Sequence, residues 1–144
     1  MLEDVLKVKT ILKIYNIMNK LLVNIIRWIL VLPVMVLAHI IAYYVYLWLS
    51  DDLKVTFFKY VEIIMAFAIA SGVSIIAGTL VAPSNRKTVS VVLCTISCTL
   101  MAIGMYVIIS NYYKYGLMGV LGNVASIIGA IVGTYIVHEE IVEE

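Results

Sequence analysis

Four long runs of apolar residues, separated by short polar segments, dominate the pattern of this chain. The runs cover residues 28–49, 61–82, 88–110 and 116–137. As helices with a rise of about 1.5 Å per residue, all four are long enough to cross the ~30 Å hydrocarbon core of a bilayer. Pro83 and the polar residues after it end the second run in a tight turn. The pattern therefore predicts an all-α integral membrane bundle of four transmembrane helices over residues 28–137.

The segment before the first run, residues 1–27, has polar residues at helical spacing among valine, leucine and isoleucine. The polar residues are Glu3, Lys7, Thr10, Lys13, Asn16, Lys20, Asn24 and Arg27. They predict an N-terminal amphipathic helix with a mainly basic polar face, which suits the headgroup layer of an anionic leaflet. Because the spacing is also close to a heptad, the alternative is a cytoplasmic helix that packs against a partner membrane protein. The chain ends in an acidic tail, residues 138–144.

Small residues form continuous seams on the second and fourth runs. In the second run they recur at every fourth position, as Ala66, Ala70, Ser74, Gly78 and Ala82. In the fourth run they alternate at spacings of three and four, as Gly119, Gly122, Ser126, Gly129 and Gly133. Such seams allow close helix approach in membranes, and Gly129 with Gly133 forms a GxxxG pair. One bundle would not use this much close-packing surface, so we expect a homo-oligomer.

Composition and charge narrow the class of protein further. The chain is 64% hydrophobic and 13% charged, with a mean hydropathy of +1.09, whereas a soluble domain carries about 25% charged residues. Its net charge of +1 gives no reason to expect a nucleic-acid partner. Trp28 and Trp48 stand about 30 Å apart along a helix, as residues at opposite membrane interfaces do. With a cytoplasmic N-terminus, seven of the ten basic residues lie inside, which predicts a multi-pass inner (plasma) membrane protein with both termini cytoplasmic.

Several polar residues fall near the midpoints of the four runs and predict a polar layer inside the membrane. They are His39, Ser71, Ser74, Thr99, Asn123 and Ser126. Polar residues at this depth often line ion or water paths, with His39 as a gate or pH-sensitive group. The alternative is structural: a neutral His39 that forms a hydrogen bond with a neighbouring helix.

The remaining reactive residues give weaker signals. Glu62 lies at the outer end of the second run, three residues from Lys59; an interfacial ion pair explains it, and a coupling-ion site is the alternative. Cys94 and Cys98 lie one helical turn apart and are interpreted as small packing residues. The sequence contains no phosphate-binding glycine loop, zinc-protease motif or nucleophile elbow. We therefore expect no enzymatic activity, no cofactor and no metal site.

The leading functional hypothesis is a homo-oligomeric channel or pore-type protein, a class that includes membrane-permeabilising proteins. One alternative is a non-conducting accessory or assembly subunit that docks on a larger membrane complex through the N-terminal helix. A further alternative is a small dimeric transporter, in which Glu62 and His39 would couple ion and substrate movement. In every case the chain's main partner is membrane lipid.

Overall fold

A computed structural model of the protein describes residues 2–50 and 56–140. In these residues it contains four helices and no strand: α1 (Leu2–Ser50), α2 (Thr56–Val81), α3 (Arg86–Ser110) and α4 (Tyr112–Glu140). The all-helical prediction is confirmed. Four stretches within these helices are long and apolar enough to cross a membrane: Lys13–Leu49, Tyr60–Val81, Arg86–Ser110 and Gly116–Glu140.

Helix α1 is the longest element, with 49 residues, which corresponds to about 73 Å. It continues without a break across positions 27 and 28, so the amphipathic segment and the first apolar run are parts of one helix rather than two. All side chains from Lys13 to Ile26 are exposed, whereas Val31 is buried. The N-terminal half of α1 therefore extends beyond the bundle. The last four residues of the acidic tail, 141–144, lie outside the described residues.

The ends of the other helices follow from local backbone chemistry. Helix α2 ends at Val81, just before Pro83, and Asn85 precedes α3 in the left-handed conformation with a φ of 53°. Helix α3 ends at Ser110, and the backbone N–H of the following residue, Asn111, donates to the carbonyl groups of Val107 and Ile108. Gly116 interrupts the start of α4 with a φ of 62° and a ψ of −170°, so the regular membrane helix begins where the fourth apolar run begins.

Helix α2 is the centre of the bundle. It packs most extensively against α4 and α1, and less against α3, which rests mainly on α4. Helices α1 and α2 are antiparallel, because Arg27 contacts Val81 at one end and Tyr43 contacts Phe67 further along. Helices α2 and α4 are parallel. The core is built from small and medium side chains, among which Ile75 and Val137 are the largest that are fully buried.

Candidate functional site

The closest helix contact in the bundle joins α2 and α4. A Cβ atom added to Gly129 would lie 1.9 Å from the carbonyl oxygen of Ala68, and one added to Gly133 would lie 2.6 Å from that of Gly72. The two backbones therefore touch, as small-xxx-small pairs permit. Gly122, two turns before Gly129 on α4, also meets α2, where it lies against the ring of Phe67. The GxxxG pair of α4 is thus already occupied within a single chain.

The predicted seam of α2 lies on another face of the same helix and meets α1. Ala66 and Ala70 are completely buried. A Cβ atom added to Gly78 would lie 3.2 Å from Cβ of Met35 on α1 and 2.9 Å from Cδ1 of Leu93 on α3. Larger side chains of the neighbouring helices therefore fill the space that the small residues of α2 leave. This seam, too, is covered by the chain itself.

Three residues of the predicted polar layer lie on α1 and α2. The imidazole of half-buried His39 faces the backbone carbonyl of Ala70, which can accept a hydrogen bond from it. Ser74 is buried and its Oγ donates to the carbonyl of Ser71 over 2.7 Å. Ser71 is also buried, and its Oγ has no hydrogen-bond partner among the described residues.

The other three predicted residues lie elsewhere. Ser126 is buried on α4, but the alignment of Ala68 with Gly129 places it about 9 Å along the bundle axis from Ser71. Asn123 is half-buried beside Gly104 of α3 and donates to the carbonyl of Gly119 over 3.1 Å. Thr99 is exposed on the outside of α3. The six residues therefore do not form one layer inside a single chain.

Glu62 is buried, with 8% of its surface exposed. It continues the row of Ala66 and Ala70 by one turn toward the start of α2. The side chain of Lys59, its predicted ion-pair partner, lies outside the described residues. Cys94 and Cys98 place their sulfur atoms 4.0 Å apart and are free thiols.

Arg27 has a structural role that its place in the basic N-terminal stripe did not suggest. Its Nε donates a hydrogen bond to the carbonyl of Val81, the last residue of α2, over 3.1 Å. The last carbonyl groups of a helix have no partner within the helix, and a cation there also interacts favourably with the helix dipole. Arg27 therefore fastens α1 to the end of α2.

One exposed row of α3 carries three hydroxyl groups. We call it the α3 hydroxyl face; it consists of Thr95, Thr99, Ala102 and Tyr106, all exposed. The Oγ1 atoms of Thr95 and Thr99 donate to the carbonyl groups one turn earlier, both over 2.8 Å. Their oxygen atoms can still accept hydrogen bonds from outside the chain. Other exposed positions of α3, such as Leu100 and Ile103, are aliphatic, as are Ile29, Val36 and Ile40 on α1.

In the described part of the chain, no group of three or more potential ligands could hold a metal ion. Comparison of the chain with known protein families, curated proteins and solved structures gives no match.

Proposed function

We propose that this chain is one subunit of a homo-oligomeric membrane channel or pore, in which the water path runs between subunits. The α3 hydroxyl face is the observation that carries the proposal. Lipid tails favour aliphatic side chains, and α1 presents such side chains on its outer side. Helix α3 also exposes aliphatic residues such as Leu100 and Ile103, but one of its exposed rows carries two threonines and a tyrosine, which is 74% exposed.

The packing of the subunit supports a path outside it rather than through it. The α2–α4 contact is a backbone-on-backbone contact, and the buried row of α2 is filled by side chains of its neighbours. Both seams already form helix contacts within the subunit, so we place the contacts between copies on α3 instead. Thr99 remains a candidate pore residue in this arrangement, whereas Ser71 and Ser74 are buried within the subunit and half-buried His39 faces α2.

Cysteine accessibility in reconstituted protein tests the proposal. In a Cys94→Ala, Cys98→Ala background, we would introduce Thr95→Cys or Thr99→Cys on the α3 hydroxyl face and measure ion flux from liposomes. A water-soluble thiol reagent should reduce the flux of both variants strongly, because the modified side chains narrow the path. The matched control is Val36→Cys, an exposed position on α1, for which the flux should not change.

The mass of the detergent-solubilised particle completes the test. A homogeneous homo-oligomer with ion flux supports the channel proposal. A particle without flux that carries a stoichiometric second protein would overturn it and favour the accessory-subunit alternative. If thiol modification reduced the ion flux equally for Thr99→Cys and Val36→Cys, α3 would not be the pore-lining helix.

A further inference from the structure

The two cysteines of the chain lie against each other on α3. Cys94 and Cys98 are one helical turn apart, and their sulfur atoms are 4.0 Å from each other. Both residues are half-buried, and both are free thiols. The sequence contains no other cysteine, so all the thiol groups of the chain meet at this one point.

Two methionines continue the same row toward the end of α3. Met101 follows Cys98 by three residues, Met105 follows Met101 by four, and both are half-buried like the cysteines. Residues at these spacings share one face of a helix. Long side chains of a helix lean toward the preceding turn, so the thioether of Met101 can reach the level of Cys98. We call Cys94, Cys98, Met101 and Met105 the α3 sulfur row.

The sulfur row is fixed on one side and accessible on the other. Cys94 packs against the buried cluster that contains Leu93 and Ala130, which limits the freedom of its side chain. Thr95 and Thr99, which directly follow the two cysteines in the sequence, are exposed. A ligand can therefore approach the thiols from outside the bundle while the protein core holds one of them in place.

The distance between the thiols suits a metal ion bound to both. With metal–sulfur bonds of about 2.3 Å, the length in zinc thiolate sites, two sulfur atoms 4.0 Å apart form an angle of about 120° at the metal. This angle is that of trigonal coordination by three ligands. The thioether of Met101 is the sulfur available for the third position.

The ligand set selects the kind of metal. Thiolates and thioethers are soft ligands that favour copper(I), zinc or iron–sulfur clusters. Zinc and iron–sulfur clusters normally take four protein ligands, and the part of the chain that the structure describes holds no group of three or more histidine, cysteine or acidic residues. Copper(I) is the ion among these that two thiolates and one thioether can bind without further ligands.

We propose that the α3 sulfur row binds one copper(I) ion through the thiolates of Cys94 and Cys98 and the thioether of Met101. Each thiol releases its proton to solvent as the ion binds, so one positive charge enters the site and two protons leave it. This role differs from the packing role that the sequence predicts for the cysteines. It goes beyond the proposed channel function and does not depend on it, because all three ligands belong to one helix of one subunit.

Competition with a copper(I) chelator tests the site. The full chain, purified in a mild detergent, is titrated with copper(I) under anaerobic conditions in the presence of ascorbate and bicinchoninate, whose copper(I) complex is coloured. We expect the protein to withdraw one copper(I) per chain from the chelator. X-ray absorption at the copper edge should then show sulfur neighbours only. A parent protein that withdraws no copper, or a copper ion with nitrogen and oxygen neighbours only, would overturn the proposal.

Single substitutions test the ligands one by one. Cys94→Ser and Cys98→Ser should each weaken copper(I) binding at least about 100-fold, because loss of a direct ligand should exceed the 10–100-fold effect of losing an outer partner. Met101→Leu should weaken binding about 10-fold, at the low end of that range. The control is Met65→Leu, which removes an exposed thioether from α2 and should leave the affinity unchanged. Circular dichroism checks that each variant keeps its helices.

A relocated pair separates the geometry of the site from the number of thiols. Cys98→Ala with Ile96→Cys keeps two thiols on α3 but places them two residues apart, a spacing at which side chains do not face each other on a helix. Its affinity for copper(I) should fall as far as that of the single cysteine variants. Equal affinity of the relocated pair and the parent protein would overturn the proposal, since any two thiols would then suffice.

Discussion

Two faces of α2 use small residues in different ways. Toward α4, Ala68 and Gly72 meet Gly129 and Gly133, so small residues stand on both sides and the backbones touch. Toward α1, side chains such as Met35 fill the space above Gly78. A small-residue stripe therefore allows two kinds of contact, and the partner decides which one forms. The two contacts should differ in how they respond to added volume.

The largest effect is expected at the α2–α4 contact. Gly129→Ala or Gly133→Ala places a methyl group against the backbone of α2, which cannot move aside without separating the helices. Overpacking in a well-packed core typically costs 1–3 kcal/mol, and a backbone clash belongs at the upper end, so we expect a loss of about 3 kcal/mol or more. Unfolding by sodium dodecyl sulfate in mixed micelles, followed by tryptophan fluorescence, measures this loss.

Gly104→Ala is the matched control for these variants, because its added Cβ would meet only Oδ1 of Asn123 at 3.4 Å. Its stability should stay close to that of the parent protein. A similar loss of stability in Gly104→Ala and Gly129→Ala would mean that the close α2–α4 approach does not exist.

The helices themselves could be predicted from the sequence, but their partners could not. Runs of apolar residues and the breaks at Pro83 and Asn111 are local signals, and they placed the four helices correctly. The pairing of faces is not local. The rows that begin at Ala66 and Ala68 are both small and lie about 200° apart around the helix, so the sequence offers two candidate seams. The Ala68–Gly72 spacing is a small-xxx-small signal that could have identified the second one.

The candidate site was predicted less well, for a physical reason. Residues at equal depth in a membrane need not face each other, because each helix also has a rotation that depth does not determine. Thr99 and Ser71 illustrate this: the first is exposed on α3 and the second is buried on α2. The contact between Arg27 and Val81 could not be predicted from the sequence either, since it joins residues 54 positions apart.

The second-largest loss of stability is expected at the hydrogen bond between Arg27 of α1 and the end of α2. Arg27→Met removes the hydrogen bond to the carbonyl of Val81 and the charge near the end of α2. Hydrogen bonds of charged groups contribute about 1.5–3 kcal/mol, and partial exposure reduces this, so we expect a loss of about 1–2 kcal/mol in the same unfolding experiment. Lys20→Met, which removes a charge from the exposed part of α1, should have little effect. If both variants lose the same stability, the Arg27 contact is not a fastening point.

A smaller effect is expected at the α1–α2 contact. Gly78→Ala adds a methyl group 2.9 Å from the flexible end of Leu93 and 3.2 Å from Cβ of Met35. Because side chains can shift where a backbone cannot, we expect a loss of about 1 kcal/mol, at the low end for overpacking. The ratio of this loss to that of Gly129→Ala measures the difference between the two faces. A larger loss of stability for Gly78→Ala than for Gly129→Ala would mean that the α1–α2 contact, and not the α2–α4 contact, is the less tolerant of added volume.

The smallest effect is expected at His39, and it separates the structural from the functional interpretation of this residue. His39→Leu keeps the bulk of the side chain on α1 but removes the donor that faces the carbonyl of Ala70. Side-chain hydrogen bonds between membrane helices contribute about 0.6 kcal/mol on average, so stability should fall by about that amount. Ion flux, measured in the same liposomes as for the α3 variants, should remain unchanged, because half-buried His39 faces α2 and the proposed path runs along α3. A change in flux or in its pH dependence without loss of stability would place His39 on the path, and would move the proposed pore from α3 to the α1–α2 side of the bundle.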